Sequence, residues 1–271
     1  MTESIRVTFD TNVLDRAVRP QRFPKDPRQN VYHKVQQALK LKHIEGYFSE
    51  TLATLEGIQN IDRADVFGST NLRHSLSQYI HSDTAIHTTQ INLVAEQTKR
   101  KPLHPETVAR IQAALAVGMR TLGAPRVGFV RINDPNHTIY APDGNESDLS
   151  ARLERYHTAL NAIEARGLGF SHVQALAHSF AQRDGVVEPF FYSLRRAKDI
   201  HEKRAVQRAI GEWSDADSVA AHIGYEIDFF CTEDEGKSAG MTSVFDAENR
   251  AWLQTTYGVC FVTLSELAAR I

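Results

Sequence analysis

The sequence predicts an α/β fold: a central, mostly parallel sheet interrupted by a large, mainly helical insertion. Strand-then-helix patterning opens the chain and returns near its end, and between the two, apolar residues recur at helical spacing. Ile5-Arg-Val-Thr-Phe9 alternates and meets Asp10-Thr-Asn12, a polar turn suited to capping a helix. A helix is expected over 31–41, then a short strand at Gly46-Tyr-Phe48. Ser49 is placed to cap a following helix through Leu52, Leu55 and Ile58.

Residues 61–210 read as mostly helical. Pro105 opens one helix, with Val108, Ile111, Leu115, Met119 and Leu122 on a face and Gly123 as its stop. A second carries Leu149, Leu153, Tyr156, Leu160 and Ile163, and a third Val173, Leu176 and Phe180. Between the first two, residues 126–132 and 137–140 flank an Asp-Pro-Asn turn and suit a small hairpin. Strand patterning resumes at Ile227-Asp-Phe-Phe-Cys231 and Val259-Cys-Phe-Val-Thr263. The expected division is a discontinuous core, residues 1–60 with 211–271, around an insertion at 61–210. The two core stretches total about 120 residues, the size of one domain.

Composition narrows the partners. With 42% hydrophobic and 24% charged residues, the chain is globular rather than disordered. Lys+Arg number 31 against 33 Asp+Glu, so any grip on nucleic acid must come from a local patch. Two cysteines exclude a disulfide framework and a four-thiolate zinc site, and their apolar settings fit free thiols in a reducing compartment. No apolar run approaches a membrane-spanning length and no signal segment is evident, so a cytoplasmic chain is expected.

Four acids fall at strand ends or helix first turns. Asp10 stands where the first strand stops, and parallel sheets gather ligands just beyond such ends. Glu56 lies at the margin of the inward face of its helix, whereas Glu50 fits a solvated position better. Asp217, Ala220, Ala221 and Gly224 form one stripe of small side chains, which suits close approach of a helix to the sheet. Asp215 points about 160° away from Asp217 and is expected to face solvent. Asp234 follows the strand ending at Cys231-Thr232, with Glu233 as an alternative carboxylate. Each also has a purely structural reading: turn aspartates at Asp10 and Asp234, a solvated helical Glu56, and a Ser214-x-x-Asp217 capping box. Carboxylates gathered together repel unless cations intervene, and oxygen-only ligation suits Mg²⁺ or Mn²⁺.

The stretches Val7-Thr-Phe-Asp-Thr-Asn-Val-Leu14, Gly46-Tyr-Phe-Ser-Glu-Thr-Leu-Ala-Thr-Leu-Glu56, Asp217-Ser-Val-Ala-Ala-His222 and Ile227-Asp-Phe-Phe-Cys-Thr-Glu-Asp234 together resemble the PIN domain, a metal-dependent nuclease family. The ending, from Trp252 to Leu267, is also similar to that family's last helix, strand and closing turn. The resemblance implies a three-layer PIN-like fold and an endoribonuclease in which a bound Mg²⁺ or Mn²⁺ orients water against an RNA phosphodiester. It implies Asp10, Glu56, Asp217 and Asp234 as the catalytic and metal-binding acids, with Asn12 and Thr232 steadying the first and last. Glu233 stands where the family is often neutral, and the gap between Glu56 and Asp217 is longer than is usual there. A toxin-type member would have an antitoxin partner, and a homo-oligomer is compatible with the sequence.

Arg195, Arg196, Lys198, Lys203, Arg204 and Arg208 make the best local basic patch, with Lys237 a further candidate for a substrate phosphate. Gly236-Lys-Ser238 is no P-loop, because Cys231 stands where that motif needs glycine. No His-Glu-x-x-His or Cys-x-x-Cys grouping supports zinc. His222 is expected to pack rather than to act as a base. A second functional class stays open: a non-catalytic module that holds RNA or a protein.

Overall fold

A computed structural model describes residues 4–80, 87–126, 132, 134–237 and 242–271. In chain order the elements are β1 (Ile5–Phe9), α1 (Thr11–Val18), α2 (Gln29–Lys40), β2 (Ile44–Ser49), α3 (Thr51–Thr54), α4 (Arg63–Gly68), β3 (Thr70–Ile80), β4 (His87–Gln97), α5 (Pro105–Ala116), β5 (Arg120–Leu122), α6 (Glu146–Ala165), α7 (Phe170–Arg183), α8 (Phe190–Leu194), α9 (Ile200–Gly224), β6 (Phe229–Cys231), α10 (Ala247–Tyr257), β7 (Phe261–Val262) and α11 (Leu264–Arg270).

Five strands form one parallel sheet in the order β5-β2-β1-β6-β7. β1 lies in the middle, with Val7 opposite Gly46 of β2 on one side and Phe229 of β6 on the other. Helices cover both faces, so the strands are apolar on both sides, as parallel sheets require. Val7, Phe9, Phe48 and Cys231 pack beneath residues of α1, α2, α5 and α11. Leu122 and Phe230 pack against α6, α9 and α10 on the other face. Gly46 admits the first helical layer: a Cβ there would lie 2.5 Å from Leu39 Cδ2 and 2.8 Å from Met119 Cγ.

A third apolar cluster joins Phe67, Val173, Phe180 and Leu194 to Val206, Ile210 and Trp213 of α9. The 25-residue α9 therefore serves two bodies of packing, the outer helices with its first half and the sheet with its second.

The sheet does not respect the expected boundaries at residues 60/61 and 210/211. β5 falls inside 61–210 yet is the edge strand beside β2, and α9 runs through residue 210 without a break. The Pro105 helix does not reach Leu122 as its apolar spacing suggests, because Gly118, at φ +90°, ends that course and releases Met119 and Leu122 to the sheet. Residues 61–210 are also not wholly helical. β3 and β4 pair antiparallel from Thr70 opposite Gln97 to Ile80 opposite His87. Leu72, His74 and Leu76 alternate with polar residues, a period of two that outweighs helical spacing there. The helix expected through Ile58 spans only Thr51–Thr54 and follows Glu50 rather than Ser49. Of the small hairpin expected near residue 130, residues 127–131 and 133 lie outside the described residues. Tyr140 makes a parallel bridge to Thr121 of β5.

Candidate functional site

β1, β2 and β5 succeed one another outward on one side of the sheet, and β6 and β7 lie on the other. The winding therefore reverses between β1 and β6, and the crevice beyond the carboxyl ends of two such strands is where open parallel sheets collect ligands. Asp10 ends β1 at this point, and Thr232 to Asp234 follow β6 beside it.

The first acid is tightly built. Asp10 caps α1, its Oδ1 accepting from the Thr11 N–H at 2.7 Å. Its Oδ2 accepts from Asn12 Nδ2 and from Thr232 Oγ1, each at 2.6 Å. Asn12 Nδ2 also donates to Thr232 Oγ1 at 3.0 Å, and its Oδ1 accepts the Glu233 N–H at 3.2 Å. The Asp234 N–H donates to Thr232 Oγ1 at 3.0 Å, and the Gly236 N–H to Asp234 Oδ1 at 2.8 Å. Gly236, at φ +66°, has no room for a side chain, since its Cβ would lie 2.5 Å from the Asp246 nitrogen. Arg250 closes the turn from α10 by donating to the Asp234 carbonyl. Short polar side chains thus lock the ends of β1 and β6 together.

The charges on these groups oppose one another. Asp10 is buried, and its carboxyl is pushed up to about 7: burial raises it most, the Thr232 hydroxyl and the Thr11 amide lower it, and the charges of Glu56 and Asp234 raise it further. Glu56 follows α3 and accepts from Ser214 Oγ at 2.7 Å. Asp215 of α9 is held well above the usual carboxylate range, by burial first and then by Asp10, Glu56, Glu212 and Asp234. Asp10 and Asp215 therefore feel each other's charge and those of Glu56 and Asp234 in one crevice.

That set corrects the sequence reading at one member. Asp217, expected in the quartet, lies on the opposite face of α9 and is 2% exposed. Arg126 Nε donates to its Oδ2 at 2.6 Å and Nη2 to its Oδ1 at 2.5 Å, while Nη2 also reaches Glu164 Oε1 at 2.9 Å. The guanidinium lies 5.0 Å from the Phe170 ring and 5.3 Å from that of Trp213, and burial lifts Asp217 to about 6 against the pull of Arg126. The small-residue stripe is a buried face, as its spacing predicts, but the neighbour it admits is α6. A Cβ on Gly224 would meet Tyr156 Cβ at 3.1 Å and the Arg152 carbonyl at 3.2 Å. Asp215, about 160° round the helix, is then the residue turned to the crevice.

Glu50 is also relocated, from solvent to burial at 3% exposure, where it accepts from the Ala124 N–H and the Tyr140 hydroxyl, both at 2.6 Å. Glu233 pairs with Arg28 at 2.7 Å and lines an open cavity of about 400 Å³ with Asn12, Arg16, Asp234 and Lys237. His222 packs as expected: its Nδ1 lies 2.9 Å from Thr8 Oγ1, and burial depresses its pKa to about 3. Glu212, one helical turn before Asp215, escapes the sequence reading. Burial raises it to about 7, hydrogen bonds from Ser243 and Val244 lower it, and Asp234 and Asp246 add to the rise. Its spacing of three from Asp215 is the signal that could have found it.

The basic candidates separate. Arg196 is bound to Glu188 and Asp184, Lys198 to Asp184, and Arg195 lies over the Tyr192 ring. Lys203, Arg204 and Arg208 lie on α9, and Lys237 is paired with Glu235.

The donor chemistry, carboxylate oxygens with Asp10 and Asp215 raised by burial and further by their acidic neighbours, suits a hard divalent cation. Among the described residues, however, no three His, Cys, Asp or Glu side chains are drawn together closely enough to hold one. The acids share a field without sharing a point. Compared with protein-family models and with curated proteins, the sequence matches none.

Proposed function

We propose that the chain is a divalent-metal-dependent endoribonuclease of PIN-like type, with Asp10, Glu56, Asp215 and Asp234 as the acids that would hold Mg²⁺ or Mn²⁺. One observation carries the reading: carboxylates that oppose one another's charge stand at the winding reversal of a parallel sheet. Carboxylates that raise one another's cost of ionisation across one crevice favour a cation there, although in this structure they stand farther apart than ligands of one ion. The quartet differs from the sequence-derived one by Asp215 in place of Asp217.

When bound, the ion would supply a polarised phosphoryl oxygen and a more acidic water. The chain's own residues do the rest. Thr11, Asn12 and Thr232 fix the Asp10 carboxylate by three donated hydrogen bonds, so its oxygens keep one orientation. Ser214 holds Glu56 against α9 by donating to its Oε1. RNA as substrate, an antitoxin partner and a cytoplasmic setting belong to this proposal. The described residues include no helix long and apolar enough to cross a membrane.

The test is cleavage of a labelled single-stranded RNA and a branched DNA with Mg²⁺, Mn²⁺ or EDTA. Asp10→Asn and Asp215→Asn should each reduce RNA cleavage at least a hundredfold, whereas Asp217→Asn should leave it within a fewfold of wild type. Binding that survives EDTA, with no cleavage under either ion, would instead make the chain a non-catalytic RNA-holding module.

A further inference from the structure

We infer that one face of α9, carrying Arg204, Arg208 and the bare backbone at Gly211, is the track along which the phosphates of single-stranded RNA reach the acidic crevice. The inference rests on the nuclease reading and adds where the strand lies.

Viewed down α9 at about 100° per residue, Arg204, Arg208 and Gly211 all fall within about 40° of Asp215. Val206, Ala209, Ile210 and Trp213 occupy the opposite side and are buried in the outer helical cluster. On the Asp215 face Arg204 and Arg208 are exposed, while Gly211 and Asp215 are half-buried, so the face is open at the arginines and narrows toward the crevice. Arg204 and Arg208 stand on that face, and no carboxylate among the described residues engages either. Their neighbours in the basic patch are already bound to Asp184 and Glu188 or lie on other faces. A separation of four residues places the two arginines about 6 Å apart along the axis, the order of the spacing between successive phosphates.

A second, independent feature lies between Arg208 and Asp215. Glycine inside a helix costs about 1 kcal/mol relative to alanine, so it needs a reason. Packing supplies none at Gly211: the nearest heavy atom to a Cβ placed there would be Arg63 Nη1, at 3.9 Å. Arg63 itself is buried at 7% exposure and held by main-chain oxygens, Nη1 donating to Gln207 at 2.7 Å and Nε to Ile58 at 3.4 Å. Its charge is felt by Glu56 and Asp215. A side-chain-free step above a fixed guanidinium, in line with two arginines, lets a phosphate approach the helix backbone next to the acids.

Binding of a fluorescein-labelled 12-nucleotide RNA, followed by anisotropy in EDTA across a salt series, tests the track without requiring catalysis. Arg204→Gln with Arg208→Gln should weaken binding roughly tenfold and reduce the slope of log affinity against log salt by about 1.4, two single-strand phosphate contacts. Lys40→Gln with Lys42→Gln removes the same charge from exposed positions at the amino end of the sheet and should leave the slope unchanged. Gly211→Gln should weaken binding at least threefold while its Tm stays at or above wild type. Equal losses for the two double variants, or full affinity in Gly211→Gln, overturn the track. Cleavage that depends on metal but not on the arginines removes the track alone, whereas arginine-dependent binding without cleavage under any ion removes the nuclease reading alone.

Discussion

Asp10→Asn should stabilise the metal-free protein while destroying its response to divalent ions. The carboxyl is lifted from 3.8 to about 7 in the fold. At about 1.4 kcal/mol per pH unit, ionising it in place opposes folding by about 4 kcal/mol near pH 7.5. Asparagine removes that charge but offers one acceptor oxygen to the donors from Thr11, Asn12 and Thr232. At least one of these loses its partner, at about 1–3 kcal/mol. The net gain is therefore about 1–3 kcal/mol, or several degrees in Tm for a chain of this size. The sign with pH follows from a raised folded pKa: the favourable contribution is complete below the unfolded value and is lost as pH rises through about 7. At pH 5 the charge cost falls to about 1.6 kcal/mol, so the advantage of the variant should vanish there or reverse. Urea titrations in EDTA at both pH values measure it, and repetition with Mn²⁺ should stabilise wild type but not the variant. An Asp10→Asn protein less stable than wild type at pH 7.5 in EDTA would refute the charge argument.

The outer helical layer makes separate predictions. Arg126→Met strands the buried Asp217 carboxylate and should cost about 3–5 kcal/mol in urea, most of it regained in Arg126→Met with Asp217→Leu. Gly224→Ala should destabilise, because its Cβ meets Tyr156 and the Arg152 carbonyl, whereas Gly211→Ala should stabilise by about 0.5–1 kcal/mol. Paired thermal melts check both signs. His222, depressed to about 3, stabilises the fold above its unfolded value of 6.5 and loses that contribution as pH falls toward 3. His222→Gln should thus narrow its deficit against wild type across that window, read as urea midpoint against pH.

The parallel core is legible in the sequence because its strands are short apolar runs that end in polar turns, as at Phe9-Asp10 and Cys231-Thr232. Asp10, Asn12, Thr232 and Asp234 can be placed for the same reason: strand ends are local features of sequence. The α9 acid is harder, because periodicity shows which residues share a face but not which neighbour that face meets. The stripe of Asp217, Ala220, Ala221 and Gly224 is indeed buried, but against α6, and only the position of Arg126, 91 residues away in sequence, makes a carboxylate tolerable there. Glu50 is hidden in the same way, since its partners at Ala124 and Tyr140 come from the far side of the expected insertion. β5 is masked by three residues whose apolar spacing continues that of the preceding helix, and only the left-handed backbone of Gly118 separates the two.

The unbroken course of α9 forbids treating the middle of the chain as a detachable module. Cutting at residue 210 would sever one rod and bare Val206, Ile210 and Trp213 on one fragment or the other, while parting the outer cluster from Asp215. The two halves of the molecule should then melt together in a single calorimetric transition, and a trimmed version lacking residues 61–199 should precipitate rather than retain a working remnant.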